Sequence, residues 1–489
     1  MRSRFDLTCL ATAVTLAITT VSGFAAGPSP SGQEGSPLRD SVNGFAVGPS
    51  PSPSVREGSP LRDPPQLVSR NGILRARLVV ERRQADVAGR KLWALTYNGH
   101  YMPPTLRIQP GDRLELAMEN RLGKNTNLHV HGLHVSPSGH SDNVFVHIHP
   151  GETFRYSYRF PTNLASGTYW YHSHAHPMSG PQVAGGLSGV IVVDGLKWYL
   201  PPGLRDITEH VIALKDFQIQ GDTVKTKDLH ISAPTNRTVN GQLNPTIRIR
   251  PGEIQLWRLA NISANIYYKV HLQGQPFQVI AHDANPVNRI WAADSLLLAA
   301  GARFDVLVRG GPPGRTQLQT LPYNTGPAGN QFPQATLATL VSEGAPMRPP
   351  ALPTTFAPTE DLGHADIAAR RTIVFSENKA GTEYYINGKQ FDMNRVDIRS
   401  KLNTVEEWTV RNDSDEEHSF HVHVDDFQLM SINGRPHDGH GWQDTASVPP
   451  RGQIVIRISF TDYTGKTVLH CHILNHEDAG MMAVLEIVK

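Results

Sequence analysis

The sequence predicts an all-β protein made of three antiparallel β-sandwiches, and three observations carry that expectation. Composition is the first: 42 Gly, 37 Pro, 39% hydrophobic and 18% charged residues suit a turn-rich, mostly β chain better than a helical or disordered one. Length is the second, since 489 residues at about 150 per domain give roughly three domains. The third is an internal repeat. TyrAsnGly at 97–99 leads to LeuArgIleGlnProGlyAsp at 106–112, ValAsnGly at 239–241 leads to IleArgIleArgProGlyGlu at 247–253, and IleAsnGly stands at 386–388. Each Asn-Gly marks a tight turn and each Pro-Gly-acid the turn before a strand. Strands alternating with period two follow: LeuGluLeuAlaMetGluAsn, IleGlnLeuTrpArgLeuAlaAsn and ValGluGluTrpThrValArgAsn. The third copy lacks its Pro-Gly, so the repeat is imperfect.

At the amino end, Arg2 and Arg4 precede an uncharged stretch from Leu7 to Val21 and small residues at Gly23 and Ala25. This pattern reads as a secretory signal over residues 1–26, too short and Thr-rich for a spanning helix. Ser3 splits the arginines, which argues against twin-arginine export, and Cys9 lies in the wrong context for a lipoprotein. Sec-type export to the periplasm or the extracellular space is expected. A tandem duplication follows, GFAAGPSPSGQEGSPLRD from Gly23 and GFAVGPSPSPSVREGSPLRD from Gly44. Rich in Gly, Pro and Ser, residues 27–66 are expected to form a disordered tail. The remainder divides into domain 1 at 67–198, domain 2 at 199–350 and domain 3 at 351–489, with ProProGly at 201–203 and the Pro-rich stretch Ala345 to Thr359 at the joints.

Formal charge is +2, from 46 Lys and Arg against 44 Asp and Glu, which leaves no field to hold nucleic acid or an anionic membrane. Histidine is abundant, at 23, against 2 Cys. Removal of the signal takes Cys9 with it, so Cys471 has no internal disulfide partner and its thiol needs another role.

The histidines fall in four groups. HisValHisGly carries His129 and His131, TrpTyrHisSerHis carries His172 and His174, and HisSerPheHisValHis carries His418, His421 and His423. HisCysHisIleLeuAsnHisGluAspAlaGlyMetMet carries His470, Cys471, His472, His476 and Met481. In the middle copy Lys269 and His271 occupy the equivalent places, so domain 2 is expected to have no cluster. Along a strand alternate side chains share a face, so each His-x-His can offer two imidazoles to one centre. The same alternation sends His470 and His472 one way and Cys471 the other, so one strand can touch two metal sites. Cys471, His476, Met481 and His418 make up the ligand set of a blue copper centre. Zinc has no use for the thioether, and eight further imidazoles exceed any tetrahedral zinc site and suit oxygen-binding copper. His147 and His149 read as structural, His134, His140 and His176 as surface or supporting residues, and His271 as a relic or a satisfied core imidazole.

At these motifs the chain resembles the multicopper oxidases, specifically the three-domain laccase-like group, from about Leu74 to the carboxyl terminus. The resemblance implies three cupredoxin-like Greek-key β-sandwich domains, with a trinuclear copper cluster between the first and third. It implies that His418, Cys471, His476 and Met481 bind the blue copper, and that His129 and His421 hold the mononuclear member of the cluster. His131, His172, His174, His423, His470 and His472 would hold the coupled pair. Ser419 stands where the family usually has Pro, without altering the ligand spacing. An axial Met at 481 implies a moderate redox potential.

The expected mechanism is outer-sphere. A small reducing substrate gives single electrons to the blue copper through the edge of His476, Cys471 passes them to its peptide neighbours, and dioxygen becomes water. Glu477 and Asp142 match acidic residues given the proton-relay role in similar proteins, the alternative being orientation of a ligand. With 9 scattered Met, phenols and aromatic amines are favoured over Cu(I) as donors, and Trp442 and Asp444 read equally as residues of the donor rim or as structural residues. The rivals are a metallo-oxidase acting on Cu(I) or Fe(II) and a copper-free scaffold used in assembly or division. A copper nitrite reductase would lack the histidines flanking Cys471. No nucleic acid and no membrane span are expected, and a monomer is.

Overall fold

The computed structural model describes residues 58–227, 229, 235–437 and 441–489. The expected signal and most of the expected tail lie outside the described residues. Among those described, the chain forms three sandwiches, each with one five-stranded and one six-stranded sheet. The five-stranded sheets of the first and third sandwiches carry the histidine strands. In the first, His129–His131 pairs antiparallel with Gly167–His172; in the third, His418–Val422 pairs with Gly465–Cys471.

The repeat is visible atom by atom. Asn98, Asn240 and Asn387 all take positive φ, as do the glycines after them, which gives the mirror-image turn whose twist matches antiparallel strands. Each asparagine side chain then accepts from the strand behind it: Val79 N to Asn98 Oδ1 at 2.7 Å, Ala213 N to Asn240 Oδ1 at 2.9 Å, and Val374 N to Asn387 Oδ1 at 2.8 Å. Where the third copy lacks Pro-Gly, Asn403 takes the left-handed conformation instead, at φ 60°.

A second triplet closes each alternating strand. Asn120, Asn261 and Asn412 each donate through Nδ2 to carbonyls of the following loop and of a neighbouring strand or turn. Each also accepts from the backbone two residues on. The loop so pinned leads into His129 in the first copy, Tyr268 in the second and His418 in the third. The strands Arg113–Asn120 and Thr404–Asn412 alternate in burial, whereas Ile254–Asn261 is buried throughout. Arg258 explains the difference: it points toward the first sandwich and pairs with Asp305, which in turn accepts from Thr168 N at 3.1 Å.

Two boundaries differ from expectation. Residues 58–66 are not a free tail: Pro60 pairs with Thr246, Leu61 N donates to Thr246 O at 2.8 Å, and Asp63 Oδ1 accepts from Val211 N at 3.0 Å. Gln66–Val68 then pairs in parallel with Thr105–Arg107. Low apolar content argued for disorder, but an unpaired sheet edge offers backbone partners that composition does not register. The hairpin Ile219–Gln220 with Thr223–Val224, expected in domain 2, extends the six-stranded sheet of the first sandwich, where Thr223 pairs with Trp93. Phe356 N and Ala357 N bond to Asn288 O and Val287 O, so the Pro-rich linker runs along the middle sandwich.

Among the described residues no helix is long and apolar enough to cross a membrane. Two short helices, Ser179–Gly185 and Leu474–Asp478, meet where the first and third sandwiches face each other. Asp478 accepts from Ser179 N at 3.1 Å and from Gly180 N at 2.8 Å, so the third domain caps the helix of the first.

Candidate metal centre

Eight imidazoles converge between the first and third sandwiches, all buried: His129, His131, His172, His174, His421, His423, His470 and His472. The alternation of the strands brings them there, and two pairs stack across the domain boundary. His129 lies on His423 with ring centres 4.0 Å apart, and His131 on His421 at 3.8 Å. His470 Nε2 is 3.2 Å from His174 Nε2 and 3.1 Å from His423 Nε2. Ring nitrogens of His129, His421 and His423, of His129, His131 and His172, and of His174, His423 and His470 lie close enough to share a metal ion.

One residue along, the other face of the strand Gly465–Cys471 builds a separate site. Cys471 Sγ lies 3.6 Å from His418 Nδ1 and 3.8 Å from His476 Nδ1, and the two imidazole nitrogens are 3.2 Å apart. Met481 is buried in the same turn: its N donates to His476 O at 2.9 Å and its O accepts from Cys471 N at 3.0 Å. Ser414 Oγ fixes His418 through Nε2 at 2.8 Å, leaving Nδ1 to face the sulfur.

The protonation chemistry fits a metal. Burial holds His418 and His421 down at about 3 and His174 at about 4. Burial, then mutual repulsion among the rings, holds His129, His131, His423 and His472 well below the ordinary value. These imidazoles are neutral, as ligands must be. The Cys471 thiol, pushed up by burial, needs a metal to displace its proton. The decisive observation is a set of orphans. His129 Nε2, His131 Nδ1, His172 Nε2, His421 Nε2 and both nitrogens of His472 are buried without any hydrogen-bond partner. Buried polar atoms rarely go unpaired, and His129, His131, His172 and His421 belong to groups whose ring nitrogens lie close enough to share an ion, so copper ions suit the vacant valences.

Two carboxylates contact this set. Asp142 Oδ2 lies 2.9 Å from His129 Nδ1, and its Oδ1 accepts from Val130 N at 3.0 Å. Burial raises the Asp142 carboxyl to about 8. Glu477 accepts from Ser179 Oγ at 2.7 Å and stands 3.5 Å from His174 and 3.1 Å from His470.

Of the remaining histidines, His271 bonds through Nδ1 to Asp294 O, and His140 and His149 make surface bonds to Arg155 O and Asn125 Oδ1. His134 lies between Val424 O and Asp462. His147 and His176 line a cavity of about 260 Å³ that reaches His174. Asp444 is not at a donor rim. It is buried against the cluster, with Oδ1 3.0 Å from His131 Nε2, and Trp442 lines a different cavity from the one beside His476. Both lie in a loop whose course depends on distant partners, which local sequence does not specify. Sequence reasoning also missed Tyr384, which stacks on His476 at 4.1 Å, and Glu416, with Oε1 3.4 Å from His476 Nε2. Glu416 lies two residues before His418, a position that could have drawn attention.

Three sandwiches with a buried Cys-His-His site one residue from an eight-imidazole cluster define a copper redox protein of the cupredoxin type. Multicopper oxidase domain models match residues 79–197, 208–344 and 348–489, and the chain belongs to the multicopper oxidase family of oxidoreductases. The family implies a copper cofactor. The chain is 29% identical to a cell division protein FtsP of Edwardsiella tarda, over 81% of this chain and 85% of that one. Its fold matches a multicopper oxidase from Campylobacter jejuni described as a metallo-oxidase, at 26% identity and TM-score 0.77, covering 89% of this chain and 96% of that one. A laccase from Pediococcus acidilactici matches at 25% identity and TM-score 0.75, covering 89% and 94%.

Proposed function

We propose that the chain is a laccase-like multicopper oxidase, taking single electrons from phenolic or aromatic amine donors and reducing dioxygen by four electrons to water. In this reading His418, Cys471, His476 and Met481 hold one blue copper. His129 and His421 hold the mononuclear copper of a trinuclear cluster, and His131, His172, His174, His423, His470 and His472 hold its coupled pair. Bound copper supplies the one-electron chemistry and the place where dioxygen is reduced.

The observation that carries the donor assignment is a cavity of about 900 Å³ that opens on His476. Tyr384 and Glu416 line it beside the imidazole, with Glu377 close by. Burial, then the charge of Glu377, raises the Glu416 carboxyl to about 8, so this carboxylate pair has a member whose proton affinity suits a base working near neutral pH. Such a pair accepts the proton that a phenol or an aromatic amine releases as it loses an electron. On the other side of Cys471, the Glu477 carboxylate faces His470 and His174 and the Asp142 carboxyl, raised to about 8, faces His129, which suits the two to pass protons toward dioxygen.

A metallo-oxidase is the second reading, and the same carboxylates favour it, since hard oxygen donors also bind Fe(II). Among the described residues lining the cavity none is a methionine, which disfavours soft Cu(I). A scaffold without copper would have no reason to keep every candidate ligand. Export by the amino-terminal signal would place the enzyme in the periplasm or outside the cell, acting on small molecules as a monomer. Turnover on a phenol, on Fe(II) and on Cu(I), compared at equal copper loading, tests the assignment. The phenol is expected to give the highest kcat/KM, and a clear preference for either ion overturns the laccase reading.

A further inference from the structure

We propose that the middle domain, which carries none of the candidate ligands, sets the geometry of the cluster through one turn, with Arg303 as the positioning residue and Gly301 as the point of closest approach. The inference rests on the copper reading of the eight imidazoles.

Arg303 opens a middle-domain strand and has 0% of its surface exposed. Its Nη1 and Nη2 donate to Asp444 Oδ1 and Oδ2 at 2.7 and 2.6 Å, a two-pronged bond to a third-domain carboxylate. Its Nε donates to Thr168 O of the first domain at 3.1 Å. One guanidinium therefore ties together the three domains at the cluster wall.

Asp444 transmits that hold to two candidate ligands. Its Oδ1 lies 3.0 Å from His131 Nε2, and its backbone oxygen accepts from His421 Nδ1 at 2.7 Å. The nitrogens left over are His131 Nδ1 and His421 Nε2, both among the buried ring nitrogens without a partner. Asp444 thus decides which nitrogen each ring turns inward, and the choice is opposite for the two rings. A partner on the outer nitrogen fixes a metal-binding imidazole in tautomer and orientation.

The glycines on either side give independent support. At Gly132, φ is +85° and a Cβ would come within 2.4 Å of Asp444 Oδ2 and 2.5 Å of Arg303 Nη2, so the clamp fits only against a bare backbone. At Gly301, φ is +93° and a Cβ would stand 3.1 Å from His131 Cε1 and 3.2 Å from the His472 ring. At this turn the middle domain approaches the candidate ligands His131 and His472 with bare backbone, leaving Arg303 as the side chain that holds the wall. Ser419 Oγ donates to Ala300 O at 3.0 Å and anchors the same turn to the strand that bears His418 and His421. The hydroxyl at this position, where proline is usual in the family, has that use.

The test is the copper-loaded Arg303→Gln variant, read by copper content, by the visible band of the blue site and by the electron paramagnetic resonance of the mononuclear cluster copper. The blue band is expected to persist, while the cluster copper shows altered hyperfine splitting and is lost to a chelator at a concentration about 10–100-fold lower than in the parent. A blue variant with unchanged cluster copper and unchanged resonance overturns the proposal. If Arg303→Gln does not fold, Arg303→Lys carries the test, since it keeps the charge and loses the fork. A blue Lys variant with an intermediate shift supports the positioning role; one with an unchanged resonance, or one that loses the blue band together with the cluster copper, overturns it. Failure of the underlying copper reading shows differently, as a parent protein with no cluster resonance at all.

Discussion

Glu477 Oε2 lies 3.1 Å from His470 Nδ1 while Glu477 Oε1 lies 3.5 Å from His174 Nδ1, so one carboxylate faces ligand candidates from two domains. Burial opposes its charge, yet the two imidazoles and the Ser179 hydroxyl hold its proton affinity below the usual carboxylate range. Glu477→Gln is expected to keep copper and blue colour and to lower oxygen consumption by about 100-fold, the lower end of what a positioned acid-base group contributes. Unchanged turnover would remove the relay.

Cys471 is a free, buried thiol whose sulfur sits between His418 and His476. Replacing it with serine, Cys471→Ser, should give a colourless protein that retains the cluster copper and consumes no oxygen with a phenolic donor. Residual blue colour would show that the sulfur has been assigned wrongly.

Asp142 holds His129 through Nδ1 as Asp444 holds His131 through Nε2. Asp142→Ala removes that hold and should weaken copper retention at the cluster by about 10–100-fold against a chelator, leaving the blue band intact. Equal retention would make Asp142 a bystander.

Glu416 gives the copper-free protein a pH dependence of known sign. Its carboxyl is raised to about 8, so the folded form binds the proton more tightly than the unfolded chain does. The resulting stabilisation is complete below the unfolded value of about 4.3 and is lost as pH rises through about 8. Urea denaturation at about pH 5 and about pH 9 should show a steeper loss for the parent than for Glu416→Gln. Parallel losses would contradict the shift.

The asparagine triplet separates stability from copper binding. Asn412→Ala removes the amide donor to Glu416 O, Val448 O and Pro449 O, leaving Glu416 O only the Ser414 hydroxyl, and should cost about 2 kcal/mol. It should also weaken the blue site, because the freed loop leads into His418. Asn261→Ala breaks the same bonds in the middle domain and should cost similar stability with the blue band unchanged. A blue band equally weakened in both variants would refute the distinction.

Much of this is legible in the sequence alone. The Asn-Gly turns and alternating strands carried the three sandwiches, because turn chemistry and period-two burial are local properties. The ligand candidates were legible for the same reason: His-x-His on a strand places two rings on one face wherever the strand goes. The dipeptide steps around Cys471 likewise settled that sulfur and imidazoles face opposite ways. Composition misled at residues 58–66, since Leu61 and Asp63 are ordered by partners near residues 211 and 246 that no local window contains.

The sequence by itself determined which residue types could meet a metal and on which side of each strand they stand. Tertiary structure alone decided what holds them. Asp444 and His131 are 313 residues apart, and Arg303 joins them from the middle domain. The reason is physical: strand periodicity is fixed by neighbouring backbone dihedrals, whereas a buried carboxylate finds its imidazole and its guanidinium only when separate sheets pack and exclude water.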